Sequence, residues 1–254
     1  MFVKSMLPIH LKQGAENQGI IEALESRFLA HLRNPLEASI TRDGLLGVDF
    51  VNKKVDIPMF TEISRVLLKP LYEGKIDLVA APETSGFYFA PIVASSINAC
   101  FVPIRKGSRV PKTWNDYVSS NRGVISATKG ISENFIVPKG SVSPEDRVLL
   151  IDDFIMTGNA MLGGADVISK AGGKVVEMLT VIDKYYNGGR KEIEASGHVT
   201  KSLLSINNYE VLNGEKVRLY IRELFFRRLD PAKKFVDVAL RKCCLLYTSD
   251  AADE

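Results

Sequence analysis

Two adjacent carboxylates, Asp152 and Asp153, stand between the apolar run Val148-Leu149-Leu150-Ile151 and a turn containing Thr157, Gly158 and Asn159. The apolar run predicts a strand buried in a core, and the acids follow where that strand leaves it. The turn then opens a helix. Its backbone N–H groups, together with the helix N-terminus, form a cradle suited to phosphate. Gly158 lets backbone approach a ligand closely, and Asn159 tolerates left-handed conformations. Paired acids beside such a cradle suggest a ligand carrying both hydroxyls and phosphate, such as a ribose phosphate. On spacing alone, a capped helix after a buried strand would look the same.

The elements around this segment must hold it in place. Residues 20–33 carry Ile20, Ile21, Leu24, Phe28, Leu29 and Leu32 at helical spacing, limited by Pro35. A second helix is predicted over 59–72, with Pro70 near its end. Residues 76–81 read as a short buried strand between Gly74 and Pro82. A helix over 86–98 and a strand over 99–105 follow. Residues 107–123 are polar, with Gly, Pro, Asn and one Trp, and predict a long loop of functional type. Strand 147–152 then leads into a helix ending near Ala171, before Gly172-Gly173, and residues 174–182 form another apolar strand. This rhythm argues for an α/β fold with a mainly parallel sheet and helices on both faces. Ligands in such sheets bind beyond the C-terminal strand ends, where the acids lie.

Four apolar residues, two acids and a loop with Thr-Gly closely resemble the phosphoribosyl-diphosphate signature of type I phosphoribosyltransferases. The resemblance covers roughly residues 20–225 and implies that family's fold, with 1–19 and 226–243 as extensions. It implies that Asp152 and Asp153 serve the ribose hydroxyls. Met156, Thr157, Gly158, Asn159 and Ala160 would hold the 5-phosphate. Ala160 stands where many members have Thr or Ser, so one phosphate-facing hydroxyl is lost and Thr157 must carry more. By the same resemblance, Ser85 and Gly86 form a tight turn that meets the pyrophosphate, and Arg105 and Lys106 bring positive charge to it. The 107–123 loop would be the mobile hood that closes over substrates and excludes water. Mg²⁺ is expected to arrive with the diphosphate, held chiefly by substrate oxygens and water. A homodimer is also implied.

The base is narrowed by four fragments. The Asp152-Asp153-Phe154 form of the signature, Thr128-Lys129 with Ser132-Glu133, Leu46 to Asp49 with Asn52, and Ile182 to Tyr186 with Gly189-Arg190 all resemble the xanthine-specific purine branch. Leu46, Asn52 and Lys184 become the base-binding expectations. Xanthine presents carbonyl oxygens, and Lys184 offers three N–H donors and a charge, whereas the amino group of adenine would meet a mismatch. Tyr185-Tyr186 could stack on a purine or pack in the core. Other fragments, 55–58, 60–64 and 101–106, resemble the adenine branch. A regulator that senses phosphoribosyl diphosphate without catalysis is a further alternative, although about 20 residues before the core are too few for a winged helix.

Composition sets outer bounds. The 254 residues include 46% hydrophobic and 25% charged residues, which describes a globular chain rather than a disordered one. No apolar run approaches the length of a membrane span, and the N-terminus makes a poor signal peptide. A formal charge of +3 is too small to argue for nucleic acid. Residues 244–254, CLLYTSDAADE, resemble a translated sequencing adapter; without them 33 basic residues face 27 acidic ones, +6. Cys100, Cys243 and Cys244 fit no disulfide or zinc framework and suggest reduced thiols in the cytoplasm. His10, His31 and His198 match no catalytic position.

Overall fold

A computed structural model describes residues 14–33, 39–40, 46–47, 55–109, 116–125, 132–212 and 216–226. In chain order these form α1 (Gly14–Arg33), β1 (Ser39–Ile40), β2 (Leu46–Gly47), α2 (Ile57–Ile63), α3 (Lys69–Tyr72), β3 (Leu78–Pro82), α4 (Ala90–Ile97) and β4 (Cys100–Lys106). There follow β5 (Tyr117–Ile125), β6 (Ser132–Pro138), β7 (Arg147–Ile155), α5 (Asn159–Lys170), β8 (Lys174–Lys184), α6 (Gly189–Ala195), β9 (Thr200–Leu212) and β10 (Lys216–Leu224).

Eight strands make the main sheet, in the order β10-β9-β8-β7-β3-β4-β6-β5. The five central strands, from β9 to β4, run parallel, and the hairpins at both edges are antiparallel. The fold is therefore α/β with a mixed, mostly parallel sheet, as expected. Strand β7 shows why its sequence reads as an unbroken apolar run. Leu149 and Ile151 join one core with Phe28, Met59, Phe60 and Phe89, whereas Val148 and Leu150 join the other with Ile104, Met161 and Ile168. Alternate side chains fill opposite faces, and both faces are covered.

Local chemistry sets the helix ends. The Asp56 carboxylate accepts the Met59 N–H at 3.0 Å and caps α2, and Arg27 of α1 pairs with the same carboxylate at 2.8 Å. Between α2 and α3 the chain widens into a π-helical turn over Ser64–Leu68, where Lys69 N–H reaches back to Ser64. Pro70, just beyond, has no N–H to continue the regular ladder. Helix α4 ends at Asn98 in the left-handed conformation, φ 58°.

Some expectations need correction. Residues 107–123 are not one loop: Gly107–Arg109 make a 3₁₀ turn, and from Tyr117 onward the chain is strand β5, paired with β6. Its polar residues find partners within the protein: Ser120 Oγ accepts the Phe135 N–H at 2.9 Å. The predicted helix over 86–98 divides into a 3₁₀ turn, Ser85–Tyr88, and α4, whose first turn carries Pro91. Ile20 is exposed, while Ile21, Leu24, Phe28 and Leu29 face the core. Strands β9 and β10 were not expected. Phe225 and Phe226 follow them into the core, the latter 5.4 Å from Phe28.

Candidate functional site

Parallel pairing brings the C-terminal ends of β3, β4, β7 and β8 to one edge, and the acids ride out on β7. Asp152 still pairs in register with Thr180 of β8. It is 7% exposed, and its Oδ1 accepts the Asp153 N–H at 2.9 Å. Asp153 in turn accepts the Phe154 N–H at 2.8 Å. Burial holds the Asp152 carboxyl well above the usual range, and the neighbouring Asp153 charge adds to this. Burial likewise raises Asp153, against hydrogen bonds from Asp152, the Phe154 amide and Ser85. Two carboxyls poised in this way share protons and hold their hydrogen-bonding capacity ready for a diol.

Several sequence-predicted residues gather on this pair. Ser85 bonds Asp153. A Cβ at Gly86 would lie 3.0 Å from the Ile151 carbonyl and 3.3 Å from Asp152, so glycine relieves a crowded approach of the turn to the acids. Lys106 acts on Asp152 through its charge, and Lys184 acts on Asp153. Lys184 is 4% exposed, with its Nζ 4.7 Å from the centre of the Phe154 ring. Burial pushes its ammonium down to about 8, against the attraction of Asp153.

Arg105 is placed differently. Its Nε bonds Glu83 at 3.0 Å, and Arg109 and the Lys106 amide bond the same carboxylate. Burial opposes ionisation of Glu83, but these three donors outweigh it and hold the carboxyl below its ordinary value. Leu46 lies in β2 with its backbone paired to Ile40, and its side chain is outside the described residues, as is the whole of Asn52. Tyr185, one of the two possible stacking partners, has Arg222 over its ring at 3.7 Å.

Met156, Thr157, Gly158, Asn159 and Ala160 form the turn from β7 into α5. Gly158 has φ 78°, and its carbonyl accepts the Leu162 N–H at 2.9 Å. The turn is braced from behind by Gly189, whose N–H bonds the Met156 carbonyl at 2.9 Å. A Cβ at Gly189 would come within 2.5 Å of the Gly158 nitrogen, so the contact requires glycine. The Gly188-Gly189 pair after β8 is the feature of the sequence that could have marked this brace.

A buried ion network fixes the end of β8, and sequence reasoning gave it no role. Arg190, 8% exposed, bonds Glu194, Glu223 and the Thr200 carbonyl, and stands 3.5 Å from Asp183. Asp183 is fully buried and accepts from Ser205 at 2.8 Å. Burial raises its carboxyl despite Ser205 and Arg190. The network immobilises the residue next to Lys184 and so aims the lysine.

Among the described residues no helix is long and apolar enough to cross a membrane, and no cluster of three or more metal-binding side chains occurs.

Comparison with known proteins follows the same lines. The phosphoribosyl transferase domain matches residues 56–215. Xanthine phosphoribosyltransferase 2 of Clostridium perfringens is 31% identical over 178 residues, 68% of this chain and 91% of the relative. Xanthine phosphoribosyltransferase 1 of Clostridium botulinum is 34% identical over 187 residues, 73% and 94% of the two chains. Among solved structures, the adenine phosphoribosyltransferase of Thermoanaerobacter pseudethanolicus has a TM-score of 0.52 at 27% identity, covering 63% of this chain and 87% of that one. That of Trypanosoma brucei, solved with AMP, pyrophosphate and ribose-5-phosphate, has a TM-score of 0.57 at 21% identity, with 72% and 79% covered.

Proposed function

This chain belongs to the phosphoribosyl transferase family and is a purine phosphoribosyltransferase, and we propose that xanthine is its base. The reaction moves the 5-phosphoribosyl group of phosphoribosyl diphosphate onto a purine nitrogen. The bond between the anomeric carbon and the diphosphate oxygen breaks, pyrophosphate leaves with that electron pair, and the purine nitrogen bonds the opposite face and gives up its proton to pyrophosphate or water. The products are the nucleoside 5′-monophosphate and pyrophosphate.

In this reading Asp152 and Asp153 accept hydrogen bonds from the ribose hydroxyls and offset the positive charge that develops on the ring. The turn from Met156 to Ala160 holds the 5-phosphate with backbone amides and Thr157. Ser85, Gly86 and Lys106 meet the pyrophosphate; Arg105 and Arg109 would join them by leaving Glu83. Most of the work is positioning and charge stabilisation. The oxygen donors present suit Mg²⁺, which prefers one or two carboxylates with substrate phosphates and water. The cation would arrive with the diphosphate, held chiefly by substrate oxygens and water, and its charge would ease departure of the diphosphate. The family resemblance also implies a homodimer, and the cysteine usage fits reduced thiols in the cytoplasm.

Lys184 carries the assignment of the base. It is buried at the end of β8, beside Asp153 and on the face of Phe154, and it donates without accepting. The carbonyl oxygens of xanthine match it; the amino group of adenine does not. The likeness to the adenine enzyme of Thermoanaerobacter pseudethanolicus keeps adenine as the second reading. Pyrophosphate release measured separately with xanthine, guanine, hypoxanthine and adenine decides between them. Xanthine should give the highest kcat/KM, and a preference for adenine would remove the role given to Lys184.

A further inference from the structure

The phosphate turn has a chemical shortfall. None of Met156, Thr157, Gly158, Asn159 and Ala160 is cationic, and only Thr157 carries a hydroxyl. A phosphate monoester bears about −1.5 to −2 charges at neutral pH. The cations around the acid pair, Lys106 and Lys184, act on Asp152 and Asp153, and the reading above assigns them to the pyrophosphate and the base.

The hairpin of β5 and β6 supplies what is missing. It is fastened along one face of α5, at positions 159, 166 and 170, which share a face at helical spacing. Lys170 Nζ donates to the Ser119 carbonyl at 2.9 Å. Asp166 accepts the backbone N–H groups of Asn121, at 2.5 Å, and Arg122, at 3.2 Å. The side chain of Arg122 then runs toward the N-terminus of the helix, where its Nη2 donates to Asn159 Oδ1 at 3.0 Å. Asn159 is the first residue of α5 and a member of the phosphate turn. Among the described residues the guanidinium makes no other hydrogen bond, which leaves donors of its five to spend.

A cation at this position is out of place by itself. The N-terminus of a helix carries partial positive charge and disfavours a second one. An arginine held there by three contacts between hairpin and helix is electrostatically sensible when an anion occupies the turn. Guanidinium also matches phosphate geometrically, through paired N–H donors.

We propose that Arg122 is a 5-phosphate-binding residue, delivered by the hairpin to the turn and compensating for the hydroxyl absent at Ala160. The proposal rests on the phosphoribosyltransferase reading above. Arg122 hydrogen-bonds a phosphate oxygen from outside the turn while the backbone amides hold the others. The hairpin then senses the sugar phosphate and not the base.

The test uses the full chain and two probes, ribose 5-phosphate and inorganic pyrophosphate, with the wild type, Arg122→Ala and Arg122→Lys. Arg122→Ala should raise the Kd for ribose 5-phosphate and the KM for phosphoribosyl diphosphate about tenfold, the usual order for losing one charge-assisted hydrogen bond. The Kd for pyrophosphate and the KM for the base should stay within about twofold, and Arg122→Lys should recover part of the loss. If the wild type binds ribose 5-phosphate and Arg122→Ala binds it equally, the proposal is wrong while the reaction stands. Equal weakening of both probes, with a lowered Tm, would reduce Arg122 to a fastening for the hairpin and overturn the proposal. A wild type that neither binds ribose 5-phosphate nor releases pyrophosphate with any purine would sink the reaction and the proposal together.

Discussion

Strand β7 begins and ends on acid chemistry, and its two ends treat aspartate in opposite ways. At the N-terminal edge of the sheet, Asp77 enters β3 beside Arg147, the first residue of β7. Arg147 gives Asp77 its backbone N–H and two guanidinium donors, all at 2.8–2.9 Å. These bonds lower the Asp77 carboxyl to about 2. At the C-terminal edge, five and six residues further along the strand, Asp152 and Asp153 bond to each other, to the Phe154 amide and to Ser85, and burial raises both. One edge spends its charges on holding strands together. The other keeps charges buried and under-compensated, which destabilises the fold but leaves them available to a substrate.

The sharpest way to break this comparison is to neutralise the acid pair. Asp152→Asn with Asp153→Asn should lower kcat/KM by roughly 10²–10⁴, the range typical of positioned catalytic groups. Tm at neutral pH should rise by about a few degrees. The sign follows from linkage: a raised carboxyl pKa means that the folded chain holds protons the unfolded one has released, so stability falls as pH climbs through that window. Amides do not pay that cost. A fall in turnover below tenfold would remove these carboxylates from the chemistry, and a large drop in Tm would mean that they are structural after all.

Lys184 sharpens the same contrast from the cationic side. Its pKa of about 8 lies below the ordinary lysine value, so between the two the folded chain binds fewer protons than the unfolded chain. Stability from this group therefore rises with pH over the window in which its charge, and with it the grip on a carbonyl oxygen proposed above, is lost. Lys184→Arg keeps the charge at every accessible pH. The ratio of xanthine KM, wild type over Lys184→Arg, cancels the titration of the base itself. That ratio should climb about tenfold from pH 7 to pH 9; a flat ratio would show that the ammonium does not touch the base.

How much of this could be read beforehand depended on where the partners of each residue lie in the chain. The apolar run of β7, its acids and the turn are contiguous, so strand, site and helix were legible together. Strands β9 and β10 were not. Ser202 and Ser205 are buried and break the apolar pattern of β9, and Ser205 is inside because it donates to Asp183, 22 residues away. Strand β5 looked like a loop because Ser119 to Arg122 are polar, although Ser119, Asn121 and Arg122 bond to α5, more than thirty residues downstream. Arg105 was legible as charge at a strand end, but its bond to Glu83, across the sheet edge, depends on the parallel pairing of β3 with β4. Periodicity detects a face against the core; it is blind to a polar face satisfied by a distant part of the chain.

The smallest expected effect belongs to the paired edge, and it tests whether the two edges are separable. Asp77 and Arg147 are both substantially exposed, with side chains 39% and 45% accessible, so solvent screens their attraction. Asp77→Asn should lower Tm at neutral pH by only about one to three degrees and leave kcat/KM for both substrates unchanged. Because the folded carboxyl titrates near 2 and the unfolded one near its ordinary value of 3.8, the wild-type advantage exists above that window and disappears as pH falls through it. Thermal melts of the wild type and Asp77→Asn should therefore converge at about pH 2. A mutant that keeps its Tm but loses more than about twofold in turnover would show that strain at the start of β7 reaches the acids at its end. The strand would then be a coupled lever rather than a rigid beam with one edge for stability and one for chemistry.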